Sequence, residues 1–372
     1  MLLTEEGKLG FGCMRLPMRI DAPGLVDTKE MCAMVDRFLA AGFRYFDTAH
    51  GYLEGESEKA LRECLTSRYP RDAYVLADKL TSTYFHSEQD VRDVFARQLE
   101  STGVTYFDYY LMHSLTSYWY PEFVRHHAFD VARELKAQGK IRHIGISFHD
   151  KPALLEQILT EHPEIEVVQI QFNYVDEYSP SIESRAVYDV CVRFGKPVIV
   201  MEPVKGGSLA ALPPDCAEIL DALRGGSQAS YAIRYAASFE QVVMVLSGMS
   251  SAAQMEDNIS FMQRFVPLNA EESEALAQVR ERLSRHRLIA CTSCRYCVDG
   301  CPRKIAIPDL FSCYNSSLQF PGWNSDFYYT NNTAGRGKAS VCIRCGKCEH
   351  SCPQHLPLRD LLKTVADTFE TK

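Results

Sequence analysis

Between residues 9 and 265 the chain alternates eight times between a short apolar run and a longer amphipathic one. Few folds satisfy that pattern. The short runs fall at 9–16, 43–46, 74–77, 109–112, 141–146, 167–170, 198–201 and 242–246. They lack the two-fold alternation of a half-exposed strand, as expected for parallel strands covered on both faces. Apolar residues recur at helical spacing between them, at 28–41, 57–67, 88–101, 121–138, 152–161, 183–194, 228–237 and 252–265, with Gly42, Gly139 and Gly195 as stops. A (β/α)8 barrel is the simplest architecture. A doubly wound sheet is the rival, but no G-x-G-x-x-G turn follows the first run, where Gly10 and Gly12 instead permit close approach of a ligand or backbone.

Residues at or just past the carboxyl ends of barrel strands share one rim. Asp47, Tyr52, Lys79 and His113 occupy such positions after three successive runs. A free phenol, with a pKa of about 10, exchanges protons poorly at neutral pH. A neighbouring ammonium favours the phenolate. Asp47 would keep Lys79 charged and aimed, while His113 hydrogen-bonds a substrate oxygen. The four together suit protonation of an oxygen as hydride reaches its carbon.

The segments F-D-T-A-x-x-Y (46–52), D-K-L (78–80) and L-M-H (111–113) resemble the aldo-keto reductase family, and the resemblance runs from about residue 8 to 265. It implies that Tyr52 is the general acid, Lys79 its modulator, Asp47 the orienting carboxylate and His113 the carbonyl-positioning group. It also implies an extended NADP or NAD over the barrel mouth. Gly12, Ser147, Gln169 and Glu202 match cofactor positions, and Gly248, Ser250, Gln254, Asp257 and Asn258 lie in the segment that holds the adenosine phosphate. Phe148 and Met201 depart from the family's usual asparagine and stacking aromatic. Gln254 stands where an arginine commonly grips the 2′-phosphate, which leaves NADP against NAD open.

From Asn269 the chain turns polar and reads as one capped helix, a connector over 267–290 between a barrel at 1–266 and a second domain at 291–372. Of the 14 cysteines, eight form two runs, Cys291-x2-Cys294-x2-Cys297-x3-Cys301-Pro and Cys342-x2-Cys345-x2-Cys348-x3-Cys352-Pro. Zinc also takes C-x-x-C pairs. Two complete runs, each ending in proline, resemble [4Fe–4S] ferredoxins, in which the fourth cysteine serves the other cluster. The resemblance implies one cluster on Cys291, Cys294, Cys297 and Cys352, and a second on Cys342, Cys345, Cys348 and Cys301. The segments IPDLFSCYNSSL and PLRDLLKTVADTF read as helices, giving a small, mostly α-helical ferredoxin-like domain. The aromatic FPGWNSDFYY between the runs is placed to cap a cluster or cover the barrel mouth.

A net charge of −8 without a basic stripe argues against nucleic acid, and no run reaches the roughly 18 apolar residues of a membrane span. The start lacks a secretory signal, and scattered apolar-flanked thiols point to a reducing cytoplasm. The whole chain resembles aldo-keto reductases with a C-terminal ferredoxin-type domain. It is expected to reduce a small carbonyl or quinone-like substrate with NAD(P)H, its clusters serving electron transfer, with an electron-transfer protein as a further partner. Two alternatives stay open: an iron–sulfur electron-transfer or redox-sensing protein with the barrel as scaffold, and a plain carbonyl reductase with structural clusters. Hydride moves as two electrons and each cluster passes one, so a flavin or quinone-like group is needed if the two exchange.

Overall fold

A computed structural model describes residues 7–22, 24–179, 182–285, 289, 291, 293, 295–320, 322–352 and 356–371. Eight parallel strands close into a barrel in sequence order: β1 (Leu9–Gly12), β2 (Tyr45–Asp47), β3 (Val75–Thr81), β4 (Phe107–Leu115), β5 (Ile141–Phe148), β6 (Val167–Gln171), β7 (Val198–Met201) and β8 (Val242–Ser247). The doubly wound alternative is thereby excluded. Helices between the strands pack an outer apolar layer, in which the tilted rings of Phe11, Phe38 and Phe46 meet one another in the same cluster as Met31 and Val35. Their starts are set locally: Asp27, Ser87, Ser227 and Ser251 each accept a backbone N–H from the first turn of the following helix. Gly42, Gly139 and Gly195 take the left-handed conformation that ends a helix.

Successive side chains on a strand face opposite sides, and that period places the polar rim. Tyr45, Ala77, Tyr109, Leu111, Val167, Ile199 and Met244 fill the barrel interior. Two residues further along β2, β3, β4 and β6, the same inward face carries Asp47, Lys79, His113 and Gln169. The register pairs Asp47 with Ala77 and Thr81 with His113. Lys79 and His113 therefore lie inside β3 and β4, which run past the expected ends at 77 and 112. The polar set is the last layer of the packed interior.

Three other elements differ from expectation. The helix expected over 121–138 is two, Tyr120–Arg125 and Ala128–Ala137, broken where His127 adopts a left-handed φ of 54°. The run at 57–67 starts as α-helix (Glu56–Leu61) and loosens into a π-turn (Arg62–Thr66). The Gly/Pro-rich insertion after β7 holds a further helix, Pro214–Asp221. Helix Ala270–Arg285 packs on that insertion through Leu276, Val279 and Leu283. Asn269 and Glu272 cap its start reciprocally at 2.9 Å each. Glu272 also takes both guanidinium nitrogens of the largely buried Arg234, so the expected connector is docked on the barrel.

The second domain is mostly helical: Tyr296–Asp299, Ile307–Gln319, Trp323–Thr333, Lys347–His350 and Leu358–Phe369. Its core gathers Leu310, Phe311, Leu362 and Val365 with Cys297 and Cys348.

Gly145 on β5 is where the interior has no room. A Cβ there would lie 2.6 Å from Val167 Cγ1 and 2.9 Å from the Val167 carbonyl, and would also strike Leu111. Gly145→Ala should destabilise the barrel by about 1–3 kcal/mol. Denaturant unfolding of the variant beside the parent checks this; an unchanged midpoint contradicts the tight interior.

Candidate active site

At the carboxyl end of the interior, Lys79 donates from Nζ to Asp47 Oδ1 at 2.5 Å and to the Thr48 carbonyl at 2.6 Å. The lysine is wholly buried. Burial works against its charge, but Asp47 and Tyr52 together outweigh it and hold its pKa above the ordinary value. Burial also pushes the Asp47 carboxyl up, with Lys79 opposing that shift. The Tyr52 ring lies over the ammonium, 4.8 Å from Nζ to centroid. It is brought there by the turn Tyr52–Gly55, in which Leu53 and Glu54 are left-handed at φ 53° and 56°.

The Tyr52 and His113 rings meet edge to face at 5.8 Å. His113 Nδ1 is 2.7 Å from Thr81 Oγ1, which leaves Nε2 for another partner. Burial, then Lys79, then His149 drive the His113 pKa well below 6.5, so the ring is neutral at neutral pH. Tyr52 behaves differently from the sequence-based expectation. Lys79 does pull its pKa down, but burial is the larger effect and the net shift is upward.

Asp47, Tyr52 and His113 face a cavity of about 420 Å3. Gly12, Gln169, Glu202 and Gly248 also line it. Helix Trp323–Thr333 of the second domain roofs it, contributing Trp323, Asn324, Phe327 and Tyr328. The aromatic segment thus covers the barrel mouth. Asn324 Nδ2 donates to Glu202 Oε2 at 3.3 Å, and the Tyr328 hydroxyl donates to Gln171 Oε1. The Arg15 guanidinium sits 5.0 Å over the Trp323 ring and 3.5 Å from Glu202 Oε1. Glu202 is held at a left-handed φ of 57°, and burial raises its pKa above the ordinary value. His149, two residues past Ser147 and 3.3 Å from its hydroxyl, borders the same cavity. Burial and Lys79 lower its pKa to about 4. Sequence reading missed Arg15 and His149, since only the fold makes neighbours of residues so far apart in the chain, whereas covering the barrel mouth is one of the two roles expected of the aromatic segment.

In the second domain, Cys301, Cys342, Cys345 and Cys348 line one cavity. The first run thus sends its fourth cysteine to the second run's three. The loops share a backbone: Ser293 and Arg295 match Arg344 and Gly346 in position, and all four have positive φ (57°, 63°, 57° and 78°). Cys291 lines a different cavity, Cys297 is buried, Cys352 is half-buried, and Cys294 lies outside the described residues.

The model of the aldo/keto reductase family matches residues 8–281. The chain belongs to this family. Residues 290–357 match the 4Fe-4S dicluster domain model, which favours iron–sulfur over zinc at the cysteine runs. Over 110 residues the chain is 38% identical to the 4-dihydromethyl-trisporate dehydrogenase of Mucor mucedo, covering 28% of this chain and 30% of that enzyme. It is 27% identical over 203 residues to the NADH-specific methylglyoxal reductase of Escherichia coli, covering 49% and 59%. The chain therefore spans less than two-thirds of either protein's length. An aldo-keto reductase from Bacillus halodurans, solved in a holo form, superposes with a TM-score of 0.59 at 25% identity, covering 73% of this chain and 91% of that one.

The remaining positions expected to bind a reductase cofactor are mostly engaged internally. The backbone N–H of Ser250 donates to Gln254 Oε1 at 2.7 Å, and the Ser250 hydroxyl donates to the Arg15 carbonyl at 3.2 Å. Asp257 accepts from Ser227 at 2.6 Å, and Asn258 donates to Ser247 at 2.7 Å. Only Ser250 and Gln254 are exposed. Among the described residues, no helix is long and apolar enough to cross a membrane.

The lowered pKa values of His113 and His149 carry a sign. Below about pH 6.5 the unfolded chain takes up protons that the native rings refuse, so stability falls on acidification until the native pKa is reached. Each ring contributes up to about 1.4 kcal/mol per pH unit. The pH dependence of urea unfolding between neutrality and about pH 5 should flatten in His149→Phe; an equal slope would show that His149 titrates normally.

The crossed cysteines give a second test. Cys301→Ser should remove about half of the iron. Adding Cys342→Ser should remove no more, whereas adding Cys291→Ser should remove nearly all. The reverse result would assign Cys301 to its own run.

Proposed function

We propose that this chain is an NAD(P)H-dependent reductase of a small carbonyl or quinone-like substrate, with Tyr52 as general acid. The observation that carries the reading is that Tyr52, His113 and Asp47 face one cavity while Lys79 stands charged behind them. The cavity suits a nicotinamide nucleotide. Gly12 and Gly248 leave part of its wall without side chains, and a Cβ on either would lie within about 3.5 Å of Ser247 or Arg15. Gln169 carries a buried, unpartnered Oε1. Ser147 and Gln169 would hold the carboxamide, and Gly248 and Ser250 the phosphates. NAD(P)H, when bound, supplies hydride to the carbonyl carbon.

The chain's own residues handle the oxygen. The neutral His113 imidazole, its Nδ1 engaged by Thr81, offers Nε2 to the carbonyl oxygen. Tyr52 gives its phenolic proton to that oxygen as negative charge builds. The raised pKa keeps the phenol protonated beforehand. Lys79 then stabilises the phenolate, and Asp47 keeps the ammonium from drifting. Gln254 brings no positive charge to a 2′-phosphate, which weakens any preference for NADPH over NADH. The matched E. coli enzyme is NADH-specific. The clusters fit an electron-transfer role where the substrate is quinone-like, since such a group accepts electrons singly or as a pair.

Tyr52→Phe removes the proton and little else. NAD(P)H-dependent carbonyl reduction should fall by about 10²–10⁴-fold, with iron content and nucleotide binding preserved. Full activity in this variant would sink the mechanism. A barrel serving only as scaffold predicts no change in any of the three.

A further inference from the structure

The roof of the cavity is built from the wrong domain for a self-sufficient barrel enzyme, and its chemistry is one-sided. Trp323, Phe327 and Tyr328 sit on one helix with successive rings nearly perpendicular: Trp323 and Phe327 at 5.7 Å and 70°, Phe327 and Tyr328 at 5.4 Å and 88°. Phe327 also meets the His149 ring at 5.5 Å and 67°. Met14, Met201 and Leu246 supply the rest of the apolar lining, two of them unbranched thioethers that adapt to ring edges and faces. Aromatic rings favour such edge-to-face and offset contacts with another ring.

The charged groups around the cavity are already matched. Arg15 pairs with Glu202, and Lys79 with Asp47. A substrate phosphate or carboxylate would compete with an existing partner. An uncharged ring system would displace only water, and Tyr52 and His113 are placed to meet its oxygen.

Resting on the carbonyl-reductase reading, we infer that the substrate is a flat, uncharged aromatic carbonyl of quinone or aryl-ketone type, and that Trp323 and Phe327 of the cluster domain are its specificity-determining residues. Trp323, 39% exposed, stands at the opening, and Phe327 is one helical turn further in. Tyr328 and the neighbouring Tyr329 belong to the apolar cluster that also contains Cys297 and Cys348. The Tyr329 ring stacks on Phe369 at 4.5 Å and 9°. The core that surrounds the cysteine ligands therefore holds the roof helix over the barrel.

The test uses the full, cluster-loaded chain with two probes, 9,10-phenanthrenequinone as the flat aromatic carbonyl and methylglyoxal as the small one. Phe327→Ala and Trp323→Ala should each lower kcat/KM for phenanthrenequinone at least about tenfold relative to that for methylglyoxal, the loss residing mainly in KM. Phe327→Tyr, which keeps the ring, should restore most of the ratio. A parallel fall for both probes, or an unchanged ratio, overturns the assignment. If the parent protein reduces neither probe, the reductase reading fails by itself. Calorimetric binding of phenanthrenequinone then decides the recognition question: about tenfold weaker binding in Phe327→Ala supports it, and equal binding refutes it.

Discussion

A lysine ammonium with no solvent exposure, inside the last layer of a closed barrel, is the constraint on which the site depends. Moving such a charge out of water costs several kcal/mol even after relaxation. It is tolerated only while Asp47 and the Thr48 carbonyl take its protons at 2.5 and 2.6 Å. Replacing such a buried pair with apolar residues of the same volume is often neutral or stabilising. What the pair supplies instead is a fixed positive charge under the Tyr52 ring, in a place where water cannot screen it. Further round the rim, burial and then that charge lower the pKa of both His113 and His149. Burial and this buried ion pair together set the protonation states of Tyr52, His113 and His149.

The same charge explains why two opposed shifts coexist on Tyr52. A phenol out of water resists ionisation, and the ammonium only partly offsets this. The residue is therefore protonated when substrate arrives. In the proposed mechanism, a substrate oxygen that becomes negative in the transition state would change the balance, because the proton would then leave an unfavourable phenol–oxyanion arrangement for one in which Lys79 faces a phenolate. The bias is largest where it is needed and small in the resting site.

The barrel was legible in the sequence because its signal is redundant. Eight apolar runs, glycine stops and capped helices each point to the same architecture, so local departures such as the break at His127 leave the topology intact. The polar rim was legible because Asp47, Tyr52, Lys79 and His113 fall at or just past the ends of three apolar runs, although Lys79 and His113 lie inside strands longer than those runs. The two cysteine runs were legible from their spacing, and Cys301 lines one cavity with Cys342, Cys345 and Cys348. What sequence could not reveal was proximity between segments with no periodic relation. Arg15 meets Glu202 across the barrel mouth, and Asn324 meets Glu202 and His149 meets Phe327 only because the second domain docks there. Matching positions also say nothing of occupancy by internal partners, as Asp257 and Asn258 show by bonding Ser227 and Ser247.

The docked roof bears on how hydride and single-electron chemistry share one chain. Among the described residues, none of the cysteine ligands lines the substrate cavity, and what the cluster domain sends there is aromatic and amide side chains. Tyr328 belongs to both places, reaching Gln171 in the barrel from within the apolar cluster that holds Cys297 and Cys348. Its hydroxyl is wholly buried, and burial drives its pKa well above the ordinary phenol value, so it is neutral and adds no charge between the two centres. A substrate confined to hydride chemistry leaves the clusters idle and makes the second domain a source of walls. A substrate with an accessible one-electron state places that state against the same helix that packs on the cluster ligands. For the quinone-type substrate proposed above, reduction could stop halfway beside that helix, and it is the aromatic roof, more than the polar rim, that distinguishes this chain from a barrel working alone.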